Sequence, residues 1–138
     1  MNMNPIYVVD DDEDDEYLIR EVLKDMAVPN EILFFHTAEG LLTALRESDI
    51  VPFLIISDVN LPRMDGFELR KKIMEDPKVA IKTVPFIFWS TSASEAQVKI
   101  AYDLSAHGFF LKGQTYSDLK EEMDEILRYW QKSLSPQS

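Results

Sequence analysis

Short apolar runs alternate five times with segments of helical period, and that alternation restricts the chain to few architectures. Ile6 to Val9 is the first run. Behind it Leu18, Ile19, Val22, Leu23 and Met26 fall at i, i+1, i+4, i+5 and i+8, one stripe of an amphipathic helix. Ile32 to Phe35 predicts a second strand, and Ala38 to Arg46 a short helix with Leu41, Leu42 and Leu45 turned inward. Phe53 to Ile56 is almost uninterruptedly apolar, as a strand buried on both faces must be. Turn signals at Asn60, Pro62, Asp65 and Gly66 lead into a helix carrying Phe67, Ile73 and Met74. Phe86 to Trp89 and Phe109 to Leu111 predict the last two strands. A helix marked by Ala96, Ile100 and Leu104 lies between them, and the stripe Leu119, Met123, Ile126, Leu127 and Trp130 closes the series. Five strand-then-helix units predict an α/β fold: a doubly wound, five-stranded parallel sheet with five helices on its two faces.

At 138 residues the chain suits one domain, expected over residues 5–132 with a disordered tail over 133–138. There is no cysteine, which excludes disulfides, thiolate zinc sites and cysteine nucleophiles. No apolar run approaches the roughly 18 residues of a membrane span, and no targeting segment is visible, so a cytoplasmic protein without membrane contact is expected. Acids outnumber bases 25 to 14, giving a net charge of −11 that disfavours direct nucleic-acid binding. The excess is local. Residues 10–16 are seven consecutive acids; without them 18 acids would face 14 bases, a net charge of −4. Asp12 to Glu16 read as solvated acids at a helix start, where they complement the positive end of the helix.

Ligands of an open parallel sheet bind beyond the carboxyl ends of its strands. The predicted first strand ends at Asp10 and Asp11, the third at Ser57 and Asp58, the fourth at Ser90 and Thr91, and the fifth at Lys112. Three carboxylates, a hydroxyl and an ammonium therefore share one rim. Clustered carboxylates raise one another's pKa unless a cation neutralises them, and hard oxygen donors suit Mg²⁺. One aspartate can then serve as nucleophile and form an acyl phosphate, with Lys112 stabilising the transferred charge and Ser90 hydrogen-bonding a phosphoryl oxygen.

The runs Val8-Val9-Asp10-Asp11, Ile56-Ser57-Asp58-Val59-Asn60-Leu61-Pro62-Arg63-Met64-Asp65-Gly66, Trp89-Ser90-Thr91 and Phe109-Phe110-Leu111-Lys112 resemble the receiver domain of two-component response regulators in order and spacing. The resemblance implies a flavodoxin-like sheet of order 2-1-3-4-5. Asp58 would be the phosphoacceptor. Asp11 would bind Mg²⁺ directly, Asp10 mainly through water, and the backbone carbonyl of Asn60 would add a ligand; Asp12 is the fallback for the acidic pair. Ser90 resembles the hydroxyl that moves toward the phosphoryl group, Lys112 the cation that pairs with it, and Phe109 the aromatic that changes rotamer with Ser90. Met64 and Gly66 would shape the turn. The implied function is that of a stand-alone response regulator taking a phosphoryl group from a histidine kinase or phosphotransfer protein. It would catalyse only its own phosphorylation and dephosphorylation, and would signal to a downstream protein through the helix after the fourth strand and the fifth strand. A phosphate relay or sink is the alternative.

Two positions depart from the family pattern. Gly113 follows Lys112 where proline is usual, so the peptide there is expected to be trans, because a cis bond before a non-proline residue costs about 2.5–4 kcal/mol. Thr91 stands where alanine or glycine is common, and its side chain would narrow the approach of water to phospho-Asp58. Among rival readings, a haloacid-dehalogenase-type phosphatase would use Asp10 as nucleophile and Asp12 as acid. That scheme needs a second acidic pair at a strand end after the lysine, whereas Asp118, Glu121, Glu122, Asp124 and Glu125 fall on the predicted last helix. Asp10, Asp12, Asp14 and Glu21 match positions of an EF-hand loop, but Asp15 occupies the position that needs glycine. A passive interaction module is disfavoured by the complete residue set. His36 and His107 form no metal-ligand pattern.

Overall fold

The computed structural model describes residues 2–134; positions 135–138 of the expected tail lie outside the described residues. Five strands, β1 (Ile6–Val9), β2 (Ile32–Phe35), β3 (Leu54–Ser57), β4 (Phe86–Ser90) and β5 (Gly108–Leu111), form one parallel sheet in the order β2-β1-β3-β4-β5. The helices α1 (Glu13–Asp25), α2 (Ala38–Glu47), α3 (Gly66–Glu75), α5 (Glu95–Asp103) and α6 (Tyr116–Lys132) are the five expected. One further turn, α4 (Val79–Lys82), precedes β4. A turn of four residues has no apolar period to read. It starts where Lys78 N–H donates to Asp76 Oδ1 at 2.8 Å.

Strand burial explains why the runs are apolar without alternation. Ile6, Val8, Leu54, Ile56, Ile87 and Trp89 face α1 and α6, packing on Ile19, Val22, Met123 and Ile126. Tyr7, Val9, Ile55, Phe86 and Phe88 face the opposite layer, which contains Leu41, Leu69, Ile73 and Ala101. β1, β3 and β4 are thus sandwiched, whereas edge strand β2 is half-buried throughout and β5 opens to solvent at Leu111. Every helix of nine or more residues starts on a side chain that accepts from its first-turn amides: Asp12, Thr37, Asp65, Ser94 and Thr115. Each such cap is worth about 1 kcal/mol. Buried Arg70 of α3 donates to Leu104 O at 3.1 Å and Ser105 O at 2.8 Å, satisfying carbonyls at the end of α5. No described peptide bond is cis, so Lys112–Gly113 is trans. Among the described residues no helix is long and apolar enough to cross a membrane.

Candidate functional site

Strand order reverses on either side of β1 and β3, and the crevice beyond their carboxyl ends is where the acidic side chains meet. Backbone pairing carries past the strand ends: Asp10 N–H donates to Phe35 O at 3.0 Å, and Asp58 N–H to Val9 O at 3.0 Å. Both carboxylates are thereby fixed to the sheet. Asp10 is 2% exposed; its Oδ1 accepts from Asp12 N–H at 2.9 Å and its Oδ2 from Lys112 Nζ at 2.6 Å. Asp58 Oδ1 accepts from Asn60 N–H at 3.3 Å, and Oδ2 lies 3.4 Å from the same ammonium.

The turn after Asp58 depends on Gly66. A Cβ there would fall 2.2 Å from the carbonyl oxygen of Asp58, so only glycine lets the start of α3 pack against the strand end. Asp65 then caps α3 in a reciprocal pair with Glu68. Met64 packs on the core beside it.

Lys112 is the charge centre. Its third partner is Asp15 Oδ2 at 3.1 Å. Burial alone would lower the lysine pKa, but the facing charges of Asp10, Asp58 and Asp15 outweigh it and hold the ammonium above the ordinary lysine range. Burial pushes Asp10 up to about 6, against the opposing pull of Lys112. A buried ammonium is tolerable because three carboxylates satisfy its three donors.

The sequence-predicted residues fall in four places. Asp10, Asp58 and Lys112 converge on one point. Asp11, Asn60 and Thr91 are exposed and line the cleft of about 560 Å³ above that point. Ser90 is fully buried at the end of β4, its Oγ accepting from Ser92 N–H at 3.3 Å, while its carbonyl receives Lys112 N–H at 2.6 Å. Phe109 stands apart from the cleft, half-buried on β5 with its ring 5.9 Å from that of Phe88.

The reading of Asp12 to Glu16 as plain solvated acids needs correction. Asp12 caps α1, accepting from the amides of Asp14 and Asp15, so its carboxylate is committed to the helix start and not to the acidic pair. Glu16 pairs with Arg20 and His36. Asp15, third residue of α1, turns back over the strand end, as side chains of a first helical turn do. Its carboxylate, with those of Asp10 and Asp58, places three oxygens within 4.8 Å of one another. A cap at Asp12 was the signal that could have found it. The phosphatase arrangement has no support, because the acids after Lys112 lie on α6 and no described strand follows β5. His107 belongs to no possible metal-ligand group among the described residues; its Nδ1 accepts from Phe86 N–H at 3.0 Å.

The family model described as response regulator receiver domain matches residues 6–124. The chain is 28% identical over 130 residues to "Response regulator Rcp1" of Synechocystis, covering 91% of this chain and 87% of that protein. Among solved structures, the phosphorylated cyanobacterial phytochrome response regulator RcpA matches with a TM-score of 0.88 at 29% identity, covering 98% of this chain and 99% of that one. The Mn²⁺-bound form of response regulator Rcp1 matches with a TM-score of 0.82 at 26% identity, covering 95% and 96%.

Proposed function

The chain belongs to the response regulator receiver family, and on that premise we propose that it accepts a phosphoryl group on Asp58 in a Mg²⁺-dependent reaction. The observation that carries this reading is the placement of Asp58. One carboxylate oxygen is oriented by Asn60 N–H and the other faces Lys112 Nζ at 3.4 Å, at the wall of an open acidic cleft. Three carboxylate oxygens within 4.8 Å fit a hard divalent cation. Asp10, Asp11, Asp58 and the Asn60 carbonyl would hold Mg²⁺, with Asp15 beside them; when bound, it would neutralise the carboxylates and the oxygens of the incoming phosphoryl group.

The donor would be a phosphohistidine of a histidine kinase or phosphotransfer protein. An Asp58 carboxylate oxygen attacks phosphorus, the O–P bond forms as the N–P bond breaks, and the bonding pair stays with the imidazole nitrogen. The ring leaves neutral, keeping the proton on its other nitrogen. Lys112 answers the charge on the equatorial oxygens, a role that its excess of anionic partners prepares. Ser90 would exchange its bond to Ser92 N–H for one to a phosphoryl oxygen, and that local change would bias the surface of α5 and β5. Output would then pass to a downstream protein, without direct contact to nucleic acid or membrane. The test is incubation with acetyl phosphate and Mg²⁺ followed by intact mass: one phosphoryl group is gained by the native chain and none by Asp58→Asn.

A further inference from the structure

Glu122, on α6, touches the neighbour of each of two site residues. Its Oε1 accepts from Trp89 Nε1 at 2.7 Å and from Gly113 N–H at 2.9 Å, and its Oε2 lies 3.1 Å from the same amide. Trp89 immediately precedes Ser90, and Gly113 immediately follows Lys112. Trp89 is 1% exposed, so its indole N–H requires a protein acceptor. Its ring also lies 5.8 Å from Lys112 Nζ, forming a wall for the ammonium.

Gly113 fits this arrangement and proline would not. A Cβ at 113 would fall 2.2 Å from Asp118 Cβ and 2.8 Å from Glu122 Oε2, so only glycine brings the amide up to α6. Proline would also lack the donated N–H. The β5–α6 turn is held here by a hydrogen bond to a carboxylate.

We propose that Glu122 is a positioning residue for phosphoryl transfer, one carboxylate that clamps Trp89 and Gly113 and so aims Lys112 at Asp58. The proposal rests on the reading of Asp58 as phosphoacceptor. Of the three carboxylates around Lys112 Nζ, Asp58 is the most distant at 3.4 Å, against 2.6 Å for Asp10 and 3.1 Å for Asp15. Loosening the turn therefore sacrifices the Asp58 contact first, and Lys112 settles on the other two. Glu122 makes no contact with the metal's expected donors, so Mg²⁺ affinity should change little when it is replaced.

The test compares Glu122→Ala, Glu122→Asp and Glu122→Gln in the full chain, each checked for folding by circular dichroism. Initial phosphorylation rates are measured with acetyl phosphate, Mg²⁺ affinity by titration, and the Trp89 indole proton by NMR. Alanine removes the acceptor and aspartate is one methylene too short, whereas glutamine keeps Oε1. Because misorienting a catalytic group costs one to two powers of ten, the alanine and aspartate variants should phosphorylate about tenfold more slowly, with Mg²⁺ affinity within about twofold of native. Their indole resonance should move, and glutamine should restore both rate and resonance. Native rates in folded Ala and Asp variants, or equal slowing by Gln, would overturn the role of Glu122. Failure of the native chain to be phosphorylated would overturn the Asp58 reading beneath it.

Discussion

Lys112 Nζ meets Asp10 Oδ2 at 2.6 Å across 102 residues of sequence, with both side chains 2% exposed. This pair ties the end of β5 to the end of β1, and it sets the charge that Asp58 faces. Breaking a buried pair leaves an unpaired charge, whereas removing both partners does not. A double-mutant cycle of Lys112→Met and Asp10→Asn, read by urea denaturation in the absence of Mg²⁺, should give a coupling energy of about 2 kcal/mol. Additive effects would mean that the two groups do not stabilise one another.

Asp15 and Asp14 are adjacent acids with different surroundings: Asp15 touches Lys112, and Asp14 is exposed. Asp15→Asn should weaken Mg²⁺ binding about three- to tenfold at low salt, while Asp14→Asn stays within about twofold, because exposed charge is screened. Isothermal titration of the two variants separates these outcomes. Equal losses would return Asp15 to the general acidic field.

Much of the fold was legible because the central strands are buried on both faces and the helices on one. Runs such as Phe53 to Ile56, which becomes β3 with a shift of one residue, and stripes such as Leu119, Met123, Ile126 and Leu127 therefore appear directly in the sequence. The single turn at Val79–Lys82 offers no such period. Asp58 and Lys112 were readable because strand ends place them. Asp15 was masked by six acidic neighbours and became distinct only once Asp12 was seen to cap α1. Glu122 could not be read at all: its partners are an indole 33 positions away and a glycine amide 9 away, and no spacing rule encodes that meeting.

Two titrations act on stability with opposite signs below neutrality. His107, solvent-exposed on one side, is held below its ordinary 6.5 by burial of the rest of the ring and by the charge of Arg70. The unfolded chain therefore binds that proton more readily, and stability is lost as pH falls through 6.5 toward the lower folded value. Asp10, raised from 3.8 to about 6, contributes stability that is full in acid and lost as pH rises through about 6. The two contributions therefore oppose one another as pH falls from neutrality. Urea denaturation of His107→Asn should show the native chain losing stability relative to the variant only on the acid side. A difference independent of pH would remove His107 from the account.

Thr91 is exposed on the wall of the cleft beside Asp58. On a phosphorylated Asp58 its side chain would restrict the space from which water approaches. Thr91→Ala should raise the dephosphorylation rate about two- to tenfold, equivalent to at most about 1.4 kcal/mol of barrier. The decay of phosphorylated protein by intact mass measures it, and an unchanged half-life would contradict the steric argument.

We propose the carboxylate facing Lys112 at 3.4 Å as the nucleophile. The most direct measurement is peptide mapping after exposure to acetyl phosphate and Mg²⁺. One phosphoryl group should appear, on Asp58, absent from Asp58→Asn and lost when Mg²⁺ is chelated beforehand. Phosphorylation of Asp10 in its place, or undiminished labelling of Asp58→Asn, would contradict it.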